Sequence, residues 1–376
     1  MKTKCLAVGI ILLFIGTAII PSTGQNIEKS SLPTFTGKTI YVNCNNTQGP
    51  WDGTLEHPYR TIQDGVNASN NMDTVFVFSG VYFENVRVNK SINLTGENRE
   101  TTIVDANFSG SPISLQVNGI SIHGFMAQHS GNVAYADGGI QLRSWGYETN
   151  NNMIYDDIVK ENLEGIFVYH SVSNRFYNNI MEWNRESGFF CQKEMYNSTI
   201  NNNIFMNNGH YGIFFAFETA NNEIKNNIIK DNNISIYFIE VHSPNGIKDN
   251  QISHNGQGIE FQAVSWNLIS SNNFTGNDIG VYMWHSRFNV ITKNNFIDNN
   301  VHATFYAYLI ADPEPNFWRG NYWSNVSKPI MMVKGIKVFG IPNPFDPWGP
   351  GININVPWYQ FDFFPTHKPY NIPGMR

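Results

Sequence analysis

One spacing of apolar and polar residues recurs along the middle of the chain. An apolar residue is followed three positions later by an Asn and two positions after that by a second apolar residue, as in Ile200, Asn203 and Phe205. Successive polar positions lie 22 to 27 residues apart, and they are Asp157, Asn179, Asn203, Asn227, Asn250, Asn272, Asn294 and Asn321. A fixed period of this length is typical of a solenoid, in which each repeat stacks on the previous one.

A second short sequence pattern follows each of these apolar-Asn-apolar units and recurs with the same period. It pairs a small residue with an apolar one, at Gly165-Ile166, Gly188-Phe189, Gly212-Ile213, Ser235-Ile236, Gly258-Ile259 and Gly280-Val281. The residues after each pair alternate between two faces, which predicts a short strand. Leucine-rich repeats have a similar period but need Leu at most inward positions, and residues 150–325 contain three Leu. The pattern therefore favours an all-β, right-handed parallel β-helix.

The recurring Asn has a physical role in such a fold. Stacked coils lie about 4.8 Å apart, and a side-chain amide both donates and accepts hydrogen bonds. Identical amides in successive coils can then bond along the axis in a ladder. Asp157, the first member, would act there as an acceptor. We assign these residues a structural role.

Outside the repeats the sequence predicts two caps. We place the repeats at residues 75–325, an N-terminal cap at 38–74 with a helix over Pro58–Ala68, and an irregular C-terminal tail at 326–376. We expect this tail to wrap the last coil and bury its aromatic side chains, Trp348, Trp358, Tyr359, Phe361, Phe363 and Phe364. A 32-residue step from Ile122 to Ile154 leaves room for a loop within 128–137 or 145–152.

The first 25 residues predict export. Lys2 and Lys4 precede an apolar run over residues 5–20 and a small-residue segment, as in a signal peptide. We therefore expect a secreted or cell-surface protein, which would contact a membrane only if this segment is retained as an anchor. Outside it, Cys44 and Cys191 are expected to be unpaired.

Charge excludes one class of partner. Only 14% of the residues are charged and the net charge is −6. Nucleic-acid binding needs clustered Lys and Arg to displace counterions, so we expect no such partner.

Several segments resemble a known family. The stretches NNEIKNNIIKDNN and NGIKDNQISHNGQGIEF are similar to the β-helix domain of the periplasmic copper-binding NosD family, within the pectin-lyase-like superfamily. GPWDGTLEHPYRTIQDGVNAS resembles the entry region of archaeal surface β-helix proteins, and NFWRGNYWSN their usual last coil. The resemblance covers roughly residues 40–325 and implies the fold. It implies no specific activity, because the polygalacturonase and alginate-epimerase signatures are missing.

The outward positions after each small-apolar pair form a predicted stripe. Its first row is Phe167, Phe190, Phe214, Tyr237, Glu260 and Tyr282. The candidate carbohydrate-binding residues are Tyr169, His170, Gln192, Lys193, Tyr237, Gln262, Tyr282, Trp284 and His285. Flat aromatic faces beside polar groups suit an extended polysaccharide or surface glycan. The alternative is that loops or the tail cover the stripe.

Catalysis and metal binding are weaker hypotheses. A glycoside hydrolase needs two nearby carboxyl groups, and Glu240 and Glu260 are the nearest pair. Their backbones should lie about 11 Å apart. We predict no cofactor and no metal site, because copper or calcium binding has no motif in the sequence.

The leading hypothesis is a non-catalytic carbohydrate-binding protein. The alternatives are a carbohydrate-active enzyme, a NosD-like copper or maturation accessory, and a surface scaffold or adhesin.

Overall fold

The computed structural model describes residues 34–143, 148–308, 315–324, 329–341 and 352–372. The predicted signal peptide and Trp348 lie outside these residues. The described chain is an all-β parallel solenoid of about ten turns, with 51% strand and one helix. No helix in these ranges is long and apolar enough to span a membrane. The predicted fold class is confirmed.

Each complete coil contributes one strand to each of three stacks, which we name sheets I, II and III. Sheet I consists of Thr39–Val42, Thr74–Val77, Asn93–Gly96, Ser121–His123, Met153–Tyr155, Arg175–Tyr177, Thr199–Asn201, Glu223–Lys225, Gly246–Lys248, Leu268–Ser270, Val290–Thr292 and Phe317–Arg319. The sheet begins at Thr39, so the region predicted as a cap already forms part of the first coil.

Sheet II carries the longest strands of the coils. It consists of Val86–Val88, Ile113–Leu115, Gly138–Leu142, Glu164–Val172, Ser187–Tyr196, Tyr211–Ala216, Ile234–Ile239, Gln257–Gln262, Ile279–Trp284 and Val301–Tyr308. Sheet III consists of Gly80–Phe83, Thr102–Asp105, Met126–Gln128, Ile158–Lys160, Ile180–Glu182, Ile204–Met206, Ile228–Lys230, Gln251–Ser253, Asn273–Thr275, Asn295–Ile297 and Tyr322–Trp323. Inward side chains of all three sheets form one continuous core.

Both ends of the solenoid differ in detail from the prediction. The helix is Ile62–Ala68 and begins four residues after Pro58, because the Thr61 hydroxyl accepts a hydrogen bond from the Asp64 N–H and caps it there. The C-terminal tail is more regular than expected. Met331–Ile341 and Ile352–Asp362 form an antiparallel hairpin, which we name the C-terminal hairpin.

The C-terminal hairpin covers the edge of the last coil. Its first strand pairs in parallel with Val301–Tyr308, and its second contacts Phe317–Arg319 through the Trp318–Asp362 pair. This pairing protects an open strand edge. The expected burial of the aromatic residues does not occur, since Trp358, Tyr359, Phe361, Phe363 and Phe364 are 40–67% exposed. The buried residues of this segment are the polar Gln360 and Asp362, which bond to Trp318 and Asn321 of the last coil, while the aromatic side chains face solvent.

The predicted Asn ladder is present at the corner between sheets I and III. The Asn203 side-chain carbonyl accepts from the Asn179 backbone N–H at 3.0 Å and from its side-chain amide at 3.1 Å. The Asn203 amide donates in turn to the Asn227 side-chain carbonyl at 3.1 Å and to the Phe176 backbone carbonyl at 2.9 Å. Each Asn therefore joins three coils, and the same pattern continues to Asn321.

Two further ladders occupy the other corners and were not predicted. One contains Asn152, Asn174, Ser198, Asn222, Asn245, Asn267, Asn289 and Asn316. The other contains Asn162, Asn184, Asn208, Asn232, Asn255, Asn277 and Asn299. The corners also explain many left-handed residues, such as Asn178, Trp183 and Asn202, each one position before a ladder residue.

The ladder has a direction, and Asp157 stands at its donor end. Its Oδ1 accepts the Phe125 N–H at 2.9 Å, while its buried Oδ2 has no hydrogen-bond partner. An Asn here would donate to the Asn179 side-chain carbonyl, as the later members do. Burial raises the pKa of Asp157 well above its ordinary value of 3.8, which is consistent with a protonated carboxyl group.

We expect Asp157→Asn to raise the free energy of unfolding near pH 7 by about 1–3 kcal/mol, because the amide supplies the missing donor. The folded protein binds a proton at Asp157 that the unfolded chain releases above about pH 4. Its stability therefore falls as the pH rises above that value. Denaturant unfolding between pH 4 and pH 8 should show this decline in the wild type and a smaller decline in the variant. An equal slope in both proteins would contradict a neutral Asp157.

Mid-ladder members should be costly to remove. Asn227 is buried and makes four hydrogen bonds to three neighbours, so Asn227→Ala should lower the free energy of unfolding by about 2–4 kcal/mol. Asn233→Ala is the matched control, since Asn233 is exposed and lies beside the ladder residue Asn232. Equal denaturation midpoints for the two variants would argue against the ladder as a source of stability.

Candidate functional site

The outward side of sheet II carries the predicted stripe. Strand register places Phe167, Phe190, Phe214, Tyr237, Glu260 and Tyr282 side by side on successive strands. The same column begins earlier with Arg87, Ser114 and Gln141 and ends with Thr304. A parallel β-solenoid in register therefore lines up outward residues across about ten coils.

The N-terminal part of the stripe is covered. Phe167 and Phe190 are buried and pack with Ala216 in a small apolar cluster. The loop 129–137, which we name the wall loop, fills one of the two positions predicted for an insertion, and its Tyr135 ring lies 6.1 Å from that of Phe190. For these coils, the alternative that a loop covers the stripe is correct.

Tyr237 is also buried, at 8% exposure. Its ring lies 5.1 Å from that of Tyr211 and 5.0 Å from that of Phe214. Its hydroxyl donates to the Gln262 Oε1 at 2.6 Å. Little of the Tyr237 side chain is exposed, and its assignment to carbohydrate binding stays a prediction. Its hydroxyl group orients Gln262.

A bulge shifts the second predicted row. Tyr169 pairs with Lys193 rather than with Gln192, so the strand Ser187–Tyr196 carries one extra residue. His170 therefore lies beside Glu194 and forms an ion pair with it. Lys193 contacts the carboxylates of Glu194 at 3.1 Å and of Glu218 at 3.7 Å. Spacing alone could not show this insertion.

The C-terminal part of the same side is open. We name as the outer platform the half-buried or exposed residues Glu260, Gln262, Tyr282, Trp284, His285, Tyr306 and Tyr308. Gln262, Trp284 and Tyr306 lie side by side on three strands. The His285 ring stacks on that of Tyr308 at 4.3 Å. Four platform residues, Gln262, Tyr282, Trp284 and His285, were predicted for binding, and the structure adds Tyr306 and Tyr308.

Sequence reasoning missed these two tyrosines for a definite reason. Their strand, Val301–Tyr308, lacks the small-apolar pair that marked the earlier strands. The alternation of Ala303, Phe305 and Ala307 inward with Thr304 and Tyr306 outward was nevertheless present in the sequence. A search for period-two alternation alone would have found them.

Glu260 is the one carboxyl group of the platform. It lies between Tyr237 and Tyr282 on the neighbouring strands, and burial raises its pKa above the ordinary 4.5. Glu240 is exposed and follows Ile239, the register partner of Gln262, and its N–H donates to the Gln262 carbonyl at 2.9 Å. The buried Glu164, with a pKa raised by burial to about 8, lies four strands away. The Glu240–Glu260 pair stays a prediction.

We expect Tyr282→Ala to expose Glu260 to water and so to lower its pKa toward 4.5, because burial is the main cause of the shift. Carboxyl-carbon NMR titration of the wild type and the variant measures this directly. Tyr155→Ala, which removes a stacked tyrosine from sheet I, is the control and should leave the Glu260 titration unchanged. A Glu260 pKa at or below 4.5 in the wild type would contradict the geometry.

The family comparison agrees with this architecture. The model of the family described as periplasmic copper-binding protein (NosD) matches residues 65–240 and 118–328, which is more than half of the chain. The chain belongs to the NosD family. No curated protein sequence matches this NosD-family chain significantly.

Solved structures of similar fold are distant in sequence. The mannuronan C-5 epimerase AlgE4 A-module of Azotobacter vinelandii is 13% identical with a TM-score of 0.51, over 75% of this chain and 88% of that one. The GH136 lacto-N-biosidase of Eubacterium ramulus is 11% identical with a TM-score of 0.56, over 77% and 64%. The Dettilon tailspike protein is 11% identical with a TM-score of 0.50, over 81% and 73%. These likenesses show that the NosD-family chain shares the parallel β-helix fold.

The described residues do not fit a copper site. In the described ranges, no group of three or more His, Cys, Asp or Glu side chains is arranged so that it could hold a metal ion. Cys191 is buried in the core, where burial raises the pKa of its thiol and keeps it protonated. His170, a candidate from the sequence, already pairs with Glu194. The absence of a cofactor stays a prediction.

Proposed function

We propose that this NosD-family protein binds an extended carbohydrate outside the cytoplasm through the outer platform, without catalysis. The observation that carries the proposal is the row of Gln262, Trp284 and Tyr306 on adjacent strands. Aromatic faces beside amide and carboxyl groups suit stacking on sugar rings and bonding to hydroxyl groups. The row follows the solenoid axis, as a linear polymer would.

Two further observations support this proposal. Solved structures that share the fold include a mannuronan epimerase and a lacto-N-biosidase, both named for action on saccharides. The matching family is described as periplasmic, and the first 25 residues have the order of a signal peptide. A periplasmic or cell-surface location would bring the platform into contact with glycans.

We expect Trp284→Ala and Tyr306→Ala each to weaken polysaccharide binding ~10-fold or more, since a loss of about 1.4 kcal/mol corresponds to that factor. Native gels cast with a panel of polysaccharides, followed by calorimetry, measure the effect. Trp183→Ala is the control, because Trp183 is 58% exposed beside sheet III. Equal loss in the control variant, or no binding by the wild type to any polymer, would refute the platform.

A carbohydrate hydrolase is the second candidate function, favoured by the raised pKa of Glu260. A carboxyl group with a raised pKa is better suited to act as a general acid than one with the ordinary value. In this case the wild type would shorten the bound polymer, and Glu240→Gln and Glu260→Gln would each abolish shortening. Retention without shortening supports the binding protein.

A further inference from the structure

A polar cavity lies on the outward side of sheet II, over the first three strands of that sheet and beside the wall loop. It has a volume of about 510 Å³, within the range of about 300–1,000 Å³ that is usual for small-molecule sites. The lining side chains with charged or amide groups are Asn85, Arg87, Gln116, Asp137, Gln141 and Arg143. None of these residues was a candidate from the sequence.

The floor of this cavity is built by the stripe column itself. Arg87, Ser114 and Gln141 are register partners on three successive strands. The Ser114 hydroxyl donates to the Gln141 Oε1 at 3.2 Å, and the Gln141 amide donates to the Ala136 carbonyl. The floor is therefore ordered before any ligand arrives, which lowers the entropic cost of binding.

The wall loop that closes one side is also fixed in place. The Arg185 guanidinium donates to the Gly131 carbonyl at 2.7 Å and to the Asn132 side chain at 3.0 Å. The Asp137 carboxylate accepts the Val133 N–H at 2.8 Å. On the opposite side, the Asn85 amide donates to the Ser109 carbonyl at 2.6 Å. The cavity thus has two braced walls.

The charges in the cavity favour an anion. Asp137 is buried, and its carboxylate is committed to the loop backbone. Arg87 is exposed at the centre of its strand, and no acidic side chain lies within ion-pair distance of it among the described residues. Arg143 also lines the cavity, but its guanidinium already donates to the Tyr135 carbonyl at 3.0 Å and lies over the Tyr169 ring, so Arg87 is the guanidinium that we assign to the ligand. A guanidinium presents paired donors that match a carboxylate.

We propose that this cavity binds an acidic sugar unit, with the Arg87 guanidinium on its carboxylate and Ser114, Gln116 and Gln141 on its hydroxyl groups. The inference rests on the proposed carbohydrate function and narrows its ligand class. Gln141 and Glu260 are five strands apart in the column, or roughly 24 Å. The covered residues Phe167 and Phe190 lie between them, so a disaccharide reaches the cavity without touching the outer platform.

The test uses calorimetry of the full exported chain with disaccharides of glucuronate, galacturonate, mannuronate and guluronate, each beside its neutral counterpart. We expect at least one acidic disaccharide to bind and its neutral counterpart not to bind. Arg87→Gln should weaken that binding ~10-fold or more. Lys230→Gln, which removes a positive charge from sheet III, and Trp284→Ala should leave it unchanged.

Three results would overturn the inference. These are no binding of any acidic disaccharide, equal binding by Arg87→Gln, and inorganic sulfate that binds as tightly as the best disaccharide, which would indicate a general anion site. Thermal unfolding of Arg87→Gln confirms that its fold is intact. If neutral polymers bind through Trp284 while the acidic disaccharides do not bind, this inference fails and the proposed function stands.

Discussion

The structure depends on satisfying the backbone at three buried corners in every coil. A parallel solenoid must turn sharply between its sheets, and each turn leaves N–H and C=O groups without a strand partner. The corner asparagines supply the missing partners, because one amide accepts from the coil before it and donates to the coil after it. The three ladders account for 21 of the 53 asparagines of the chain.

The direction of the ladder explains the acidic residues at its two ends. At the last position, Asp362 of the C-terminal hairpin accepts from the backbone and side chain of Asn321 and from the Trp323 indole. An acceptor is all that this end requires, so a carboxylate fits. At the first position a donor is required, and Asp157 supplies one only when protonated. An ionised carboxylate therefore satisfies the last position of the ladder, but at the first position it lacks the donor that the next asparagine carbonyl needs.

Because the corners and the core hold the fold, the outward side of sheet II is free to vary. The wall loop divides it into the polar cavity with Arg87, the covered aromatic cluster and the open outer platform. All three parts contain outward residues from the same column of paired strand positions in sheet II. The type of residue in that column changes along the solenoid. Recognition of two different parts of a glycan would need no change in the scaffold.

The sequence was sufficient to predict the features that repeat in every coil. The period, the strand alternation and one Asn column predicted the fold and placed Trp284 and Gln262 on the open surface. Three features could not be predicted from the sequence because they interrupt the repeat period. The extra residue in Ser187–Tyr196 places Lys193 beside Tyr169, Tyr135 of the wall loop packs near Phe190, and the cavity around Arg87 lies beside that loop. Spacing cannot reveal what an insertion covers.

The central functional claim is that ligand lies along the outer platform. A crystal structure of the protein with an oligosaccharide cut from the polymer that it binds tests this claim most directly. The account predicts sugar rings over Trp284 and Tyr306, with hydroxyl groups bonded to Gln262 and Glu260. Sugar bound only on sheet I, sheet III or the C-terminal hairpin would contradict it.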